Sequence, residues 1–113
     1  VAAVPIIGST VHNAFIKGYS LSGFFIRSER KDHGLQKKIE GNLPNNSSVI
    51  IIDDTMSSGG SLIDSMNAVK ENNCEILQVL TVLDRKLGGS EKLLSLGYKY
   101  STILEVNSSG EII

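Results

Sequence analysis

Residues 49–61, which read VIIIDDTMSSGGS, constrain the fold of this chain more than any other stretch. Four consecutive β-branched residues are typical of a strand that is buried on both faces of a parallel sheet. Two acids, Asp53 and Asp54, end that strand. The glycine pair Gly59 and Gly60 follows, where the lack of a side chain lets the backbone approach a ligand. Because open α/β sheets bind ligands at the carboxyl ends of their strands, this order predicts a ligand site in the loop.

The same stretch indicates the kind of ligand. Backbone amides of the loop and of a helix predicted over 61–71 would converge on one point, which suits a phosphate. The adjacent acids would repel a phosphate unless they bind hydroxyls or a cation, so a phosphorylated sugar is predicted. A P-loop requires Gly-Lys, and no lysine lies between Val49 and Val69; the three spaced glycines of a dinucleotide site are also missing. A plain strand-to-helix turn capped by Ser61 is the alternative.

The whole string resembles the 5-phosphoribosyl-1-pyrophosphate (PRPP) motif of the type I phosphoribosyltransferases. The resemblance implies that Asp53 and Asp54 hold the ribose hydroxyls, with a catalytic role, and that residues 57–61 hold the 5-phosphate. It also implies an α/β fold with a central, mostly parallel twisted sheet of about five strands flanked by helices. The PRPP-binding residues implied in this motif are Asp53, Asp54, Thr55, Met56, Ser57, Ser58, Gly59, Gly60 and Ser61.

A second motif, FFIRSERKDHGLQKKIEG at residues 24–41, is similar to the mobile catalytic loop of orotate phosphoribosyltransferase. That signature is Arg, three variable positions, Lys-Asp-His-Gly and a later Glu-Gly. The resemblance implies a homodimer in which Arg27, Lys31 and His33 reach the pyrophosphate of PRPP in the neighbouring subunit, with Lys31 catalytic. Ser28 departs from the family, which usually has a second basic residue there.

Composition alone also describes residues 27–41 as a mobile basic loop, expected to span about 28–41. Five basic side chains outnumber three acidic ones, glycines mark its ends, and little apolar periodicity runs between them. Such a segment can close over an anion, although a solvated charged loop is the alternative. Nucleic acid is a disfavoured partner, because acids are interleaved, the loop lacks aromatic residues and the whole chain has a net charge of −1.

A third motif ends the strand-like run 76–84 with Leu-Asp-Arg. It resembles the Leu-Asp-Arg of orotate phosphoribosyltransferases, in which the arginine binds orotate. A planar guanidinium can bind a carboxylate through two parallel hydrogen bonds, so Arg85 has suitable chemistry. The resemblance implies that Arg85 and Ser57 bind orotate; the alternative for Arg85 is an ordinary surface residue.

The amino end reads as a strand followed by a loop that opens a helix. By resemblance this loop is the pyrophosphate loop, formed by Pro5, Ile6, Ile7 and Gly8, and a plain strand-to-helix turn explains it nearly as well. Family members usually carry an amino-terminal hood over the base, and none is apparent in these 113 residues. We therefore expect the chain to be the catalytic core of an enzyme.

The order of predicted elements indicates one domain over residues 1–113. Strand-like runs alternate with helix-like runs, which argues for a parallel sheet with crossover helices. The predicted strands are 1–5, 21–27, 49–53, 76–84 and 100–106, and the predicted helices are 9–17, 61–71 and 90–96. No apolar run is long enough for a membrane span, the single Cys74 excludes an intrachain disulfide, and His12 and His33 lack zinc-site spacing.

Together the motifs predict a cytoplasmic orotate phosphoribosyltransferase of pyrimidine (UMP) biosynthesis. It would make orotidine 5′-monophosphate and pyrophosphate from orotate and PRPP, with Mg²⁺ carried by PRPP and no direct protein ligand to the metal. Neither nucleic acid nor a membrane is expected as a partner. Two alternatives stay open: a PRPP-binding regulator or degenerate subunit without the chemistry, and a phosphoribosyltransferase for another base. The Lys-Asp-His-Gly loop favours catalysis on orotate over both.

Overall fold

The computed structural model describes residues 3–32 and 34–113 of the chain. Its five strands form two sheets: an antiparallel hairpin of β1 and β2, and a parallel sheet in the order β3-β4-β5. The elements in chain order are α1 (Ala3–Ile16), β1 (Phe24–Lys31), β2 (Gly34–Gly41), β3 (Ser48–Met56), α2 (Gly60–Glu71), β4 (Glu75–Asp84), α3 (Gly89–Ser95) and β5 (Tyr100–Glu105).

The core lies between the parallel sheet and the helices α2 and α3. In the parallel register Ile51 stands beside Val79, and both belong to one buried apolar cluster. Alternate residues of a strand share a face, so β3 and β4 present a continuous apolar surface to the helices. The cluster comprises Val49, Ile51, Met56, Leu62, Met66, Val69, Cys74, Val79 and Leu93. This core fixes the carboxyl ends of β3 and β4 at one edge of the sheet.

The structure confirms the predicted fold class, an α/β fold with a parallel sheet flanked by helices. It also confirms the strands predicted at 49–53, 76–84 and 100–106 and the helices predicted at 61–71 and 90–96. The parallel sheet is smaller than predicted, with three strands rather than about five in the described part of the chain. Of the two remaining predicted strands, the described part of 1–5 lies in a helix, and 24–27 of the run 21–27 belong to a separate hairpin.

At the amino end, the predicted strand was wrong. The predicted strand and pyrophosphate loop, including Pro5, Ile6, Ile7 and Gly8, lie in α1 from Ala3 onward, while Val1 and Ala2 lie outside the described residues. Pro5 stands in the first helical turn, where a missing N–H group costs no hydrogen bond. Half-buried positions recur at helical spacing, namely Ala3, Ile7, Val11 and Ala14. This face of α1 packs on β3.

The segment predicted as a loop over 28–41 is most of an antiparallel hairpin. Its register runs from Phe24 opposite Gly41 to Lys31 opposite Gly34. Phe24 and Ile26 pack on the core cluster, and β2 lies along α2. The charged residues obscured the strand pattern of alternating inner and outer side chains, since only a few apolar residues mark the inner face of the hairpin. Within the described residues, no helix has the length and apolar character needed to cross a membrane.

Candidate functional site

The loop between β3 and α2 has the backbone geometry that a phosphate site needs. Gly59 has a φ of 85° and is the N-cap of α2, which begins at Gly60. No side chain caps this end among the described residues, so the first-turn amide groups are available to an anion. A Cβ atom at Gly59 would lie 3.1 Å from the Cα atom of Gly89, so both the dihedral angle and the close approach require glycine.

The two predicted acids lie half-buried at the end of β3. The Asp54 amide donates to Asp53 Oδ1 at 2.9 Å, and the Thr55 amide donates to Asp54 Oδ1 at 2.8 Å. Burial is the main cause that raises the pKa of Asp53, while the Asp54 amide and the charge of Lys37 act in the opposite direction. The backbone therefore fixes one oxygen of each carboxylate beside the loop.

Arg85 follows β4 and is joined to the same loop by main-chain hydrogen bonds. Its amide donates to Met56 O at 2.9 Å, and the Gly89 amide donates to Ser57 O at 3.0 Å. The Arg85 side chain is exposed, whereas Met56 is only 1% exposed and packs in the core. The structure thus brings the predicted orotate residues, Ser57 and Arg85, onto adjoining segments.

The hairpin reaches this loop through Lys37, which the motifs did not identify. Lys37 Nζ donates to Ser61 Oγ at 3.0 Å and to Ser28 Oγ at 2.9 Å. Ser28, the departure from the family pattern, thus accepts a bond from a lysine on the other strand of the hairpin. Only the excess of basic residues in 27–41 signalled a cation here, without singling out Lys37.

Arg27 and Lys31 are not brought to the sheet edge in the same way. Arg27 Nε donates to Glu40 Oε1, and Arg27 Nη2 lies 3.8 Å from Glu29 Oε1. Lys31 Nζ lies 3.9 Å from Glu29 Oε2. In the described residues, the ion pairs of these two cations are therefore all within the hairpin. His33, the third predicted pyrophosphate contact, lies outside the described residues.

Of the residues predicted for the amino-terminal pyrophosphate loop, Ile7 alone lines a cavity that Asp53 also lines. This cavity of about 150 Å³ lies between α1, β1 and β3. The described residues contain no group of three or more His, Cys, Asp or Glu side chains placed to hold a metal ion.

Comparison with known proteins places these features in a family. Residues 3–108 match the phosphoribosyl transferase domain family, and the chain belongs to that family. It is 32% identical over 109 residues to an orotate phosphoribosyltransferase of Rhodopseudomonas palustris (strain TIE-1), covering 93% of this chain and 58% of the relative. It is 36% identical over 91 residues to that of Streptomyces coelicolor, covering 80% and 50%.

A solved structure agrees with this membership. Orotate phosphoribosyltransferase of Mycobacterium tuberculosis H37Rv in complex with PRPP superposes with a TM-score of 0.57 and 31% identity, over 59% of this chain and 40% of that chain. The resemblance drawn from the three motifs is confirmed. The chain spans about 58% of the length of the first of these curated relatives and 50% of the second.

Proposed function

We propose that this chain is the catalytic core of an orotate phosphoribosyltransferase, which transfers the phosphoribosyl group of PRPP to orotate. The products are orotidine 5′-monophosphate and pyrophosphate, a step in UMP biosynthesis. One observation carries the proposal: two half-buried acids, a loop with uncapped amides and an exposed arginine meet at one sheet edge. The names of the relatives and the PRPP complex of the Mycobacterium tuberculosis enzyme support it.

The acids and the loop would bind the phosphoribosyl group. The amides of residues 57–61 would hold the 5-phosphate, and Asp53 and Asp54 would accept hydrogen bonds from the ribose hydroxyls. As the bond from the anomeric carbon to pyrophosphate breaks, that carbon gains positive charge, and a nitrogen of orotate forms the new bond. The two carboxylates place negative charge near this carbon, which stabilises the transition state.

The hairpin would act on the leaving group. Lys31, with Arg27 and His33, would offset the negative charge that builds up on pyrophosphate. In a homodimer, the hairpin of one subunit would supply these residues to the site of its neighbour. Mg²⁺ carried by PRPP would supply further charge neutralisation at the diphosphate. Arg27 and Lys31 would exchange Glu40 and Glu29 for the substrate, and exposed ion pairs of this kind contribute only about 0–1 kcal/mol.

Arg85 and Ser57 would select the base. The guanidinium of Arg85 would form paired hydrogen bonds with the orotate carboxylate, a group that uracil lacks and that purines do not offer. A site built around such a pair rejects analogues that leave the arginine unpaired. The reaction would take place in the cytoplasm, where we place the protein by its proposed role.

The decisive experiment is transfer from PRPP by the full-length gene product with orotate, uracil, adenine and hypoxanthine as acceptors. We expect orotidine monophosphate with orotate and far slower product formation with the other bases. Arg85→Leu should raise the Michaelis constant for orotate by about tenfold or more, since a charge-assisted pair is lost, and leave PRPP affinity nearly unchanged.

Two outcomes would redirect the assignment. Tight PRPP binding without transfer to any base would favour a PRPP-sensing regulator. A preference for a purine would retain the family and overturn the choice of orotate.

A further inference from the structure

Asp84 is a buried acid that the proposed reaction does not use. Its side chain is fully buried, and Oδ2 has no hydrogen-bond partner in the described part of the chain. A buried carboxylate is costly unless it is paired, and its closest cation, Lys86 Nζ, lies 3.8 Å from Oδ2.

The other carboxylate oxygen holds the turn that contains Arg85. Asp84 Oδ1 accepts a hydrogen bond of 2.8 Å from the Lys86 amide. Lys86 has a φ of 57°, a left-handed conformation that a residue with a side chain rarely adopts. An Asp side chain that bonds the backbone two residues later is a known means of stabilising such a turn.

Arg85 is therefore fixed from both sides. Its own amide donates to Met56 O at 2.9 Å, and the amide of the next residue is held by Asp84. The Asp84 carbonyl in turn accepts from the Val106 amide at 3.1 Å. The Arg85 side chain is exposed at this edge, so its direction depends on the turn beneath it.

A second ion pair holds the Lys86 side chain next to the buried acid. Lys86 Nζ lies 3.1 Å from Glu105 Oε1, and this hydrogen bond is the main cause that raises the pKa of Lys86, with Asp84 adding to it. Glu105 stands beside Asp84 in the β4–β5 register. The turn is thus closed by Asp84 through the backbone and by Glu105 through the lysine side chain.

We infer that Asp84 is a positioning residue for substrate selection: its carboxylate holds the turn that aims Arg85 at the carboxylate of the incoming base. The inference rests on the proposed function and extends it to a residue that does not touch the substrate. Asn at this position retains an oxygen that can accept from the Lys86 amide. Ala does not, so the two substitutions separate the hydrogen bond from mere occupancy of the position.

The kinetic test uses the full-length protein. Asp84→Ala should raise the Michaelis constant for orotate by about tenfold and leave that for PRPP unchanged. Asp84→Asn should have an orotate constant close to that of wild type. In an Arg85→Leu background, Asp84→Ala should add no further rise, because coupled residues are not additive. Independent effects in the double variant would overturn the inference. Glu75→Gln is the control, because Glu75 is an exposed acid at the opposite end of β4, and it should leave the orotate constant close to wild type.

Amide hydrogen exchange tests the turn without any turnover. The Lys86 amide should exchange faster in Asp84→Ala and at the wild-type rate in Asp84→Asn. If the wild-type protein transfers to no base, the proposed function is wrong, and so is the kinetic role of Asp84. Equal exchange of the Lys86 amide in all three proteins would instead show that Asp84 does not hold the turn. Should Asp84→Ala not fold, Asp84→Ser replaces it, with its shorter hydroxyl expected to give an orotate constant between those of wild type and Arg85→Leu.

Discussion

The hairpin and the parallel sheet both carry predicted catalytic residues, yet they hold them in opposite ways. The sheet residue Val79 and the α2 residues Met66 and Val69 are 0–1% exposed, and the core they form sets the positions of Asp53 and Asp54. None of the described residues of β1 and β2 is buried to that degree. The half of the site proposed to bind the phosphoribosyl group is therefore built on a buried core, and the half that would stabilise the leaving group is peripheral.

This difference agrees with the chemistry proposed for each half. Groups that fix the ribose and phosphate benefit from preorganisation, since fixed dipoles cost no reorganisation during the reaction. Groups that enclose the leaving group must admit substrate and release product, so weak exposed contacts suit them. Four predictions test this contrast, from the largest expected effect to the smallest.

The largest effect should come from the hairpin. Lys31→Ala should lower kcat by about 10²–10³, with a much smaller change in PRPP affinity, because the lysine would act on charge that develops in the transition state. Steady-state kinetics with a PRPP titration separate the two quantities. A loss of affinity equal to the loss of rate would assign Lys31 to ground-state binding.

Mixing extends this test to the homodimer. Lys31→Ala and Asp54→Asn proteins, each nearly inactive, should regain part of the activity when combined, since one mixed site would have an intact hairpin and an intact sheet edge. Verified mixed dimers without recovery would count against donation of the hairpin between subunits.

On the sheet side, Gly59→Val should weaken PRPP binding by about tenfold or more, because several charge-assisted bonds depend on the loop amides. Valine strongly disfavours a φ of 85°, and its Cβ would lie 3.1 Å from Gly89 Cα. Gly97→Val is the matched control, since Gly97 has a φ of 87° but lies outside the loop, and a Cβ there meets no atom within 4 Å. Calorimetric titration with PRPP and Mg²⁺ compares the three proteins, and equal affinities would remove the phosphate assignment.

The half-buried acid Asp53 should make the stability of the folded state depend on pH. Burial raises the pKa of Asp53 above its ordinary value of 3.8, so the ionised side chain destabilises the folded state and that loss develops as pH rises through the folded pKa. Asp53→Asn should therefore raise the melting temperature at neutral pH and lose this advantage below 3.8. Thermal melts across that range measure it, and a gain independent of pH would point to a cause other than ionisation.

The smallest effect should come from the contact between the two regions. Lys37→Met removes the hydrogen bonds to Ser28 and Ser61, so β2 amides should exchange faster while global stability changes by less than about 1 kcal/mol. Lys38→Met is the control, because neighbouring strand residues point to opposite faces and Lys38 is exposed. Identical exchange in the two variants would show that Lys37 does not join the hairpin to α2.

Local patterns were reliable where one type of interaction dominates. The β-branched run before Asp53 indicated a buried strand because few other structures accommodate it, and the glycine pair marked the turn. At the amino end, apolar residues are consistent with both a strand and a helix. Tertiary packing of α1 on β3 decided for the helix, and Pro5 is compatible with its first turn.

The sequence by itself determined the α/β class, the order of β3, α2 and β4, and the acids and glycines of the candidate loop, since each follows from local propensity and spacing. Only the tertiary structure decided which distant residues meet. Lys37 reaches Ser61 because the hairpin lies along α2, and the Arg85 turn joins the phosphate loop because β4 pairs with β3. The position of Asp84 is likewise a product of packing, because a carboxylate at a strand end becomes a buried anchor only when β5 and the next turn enclose it.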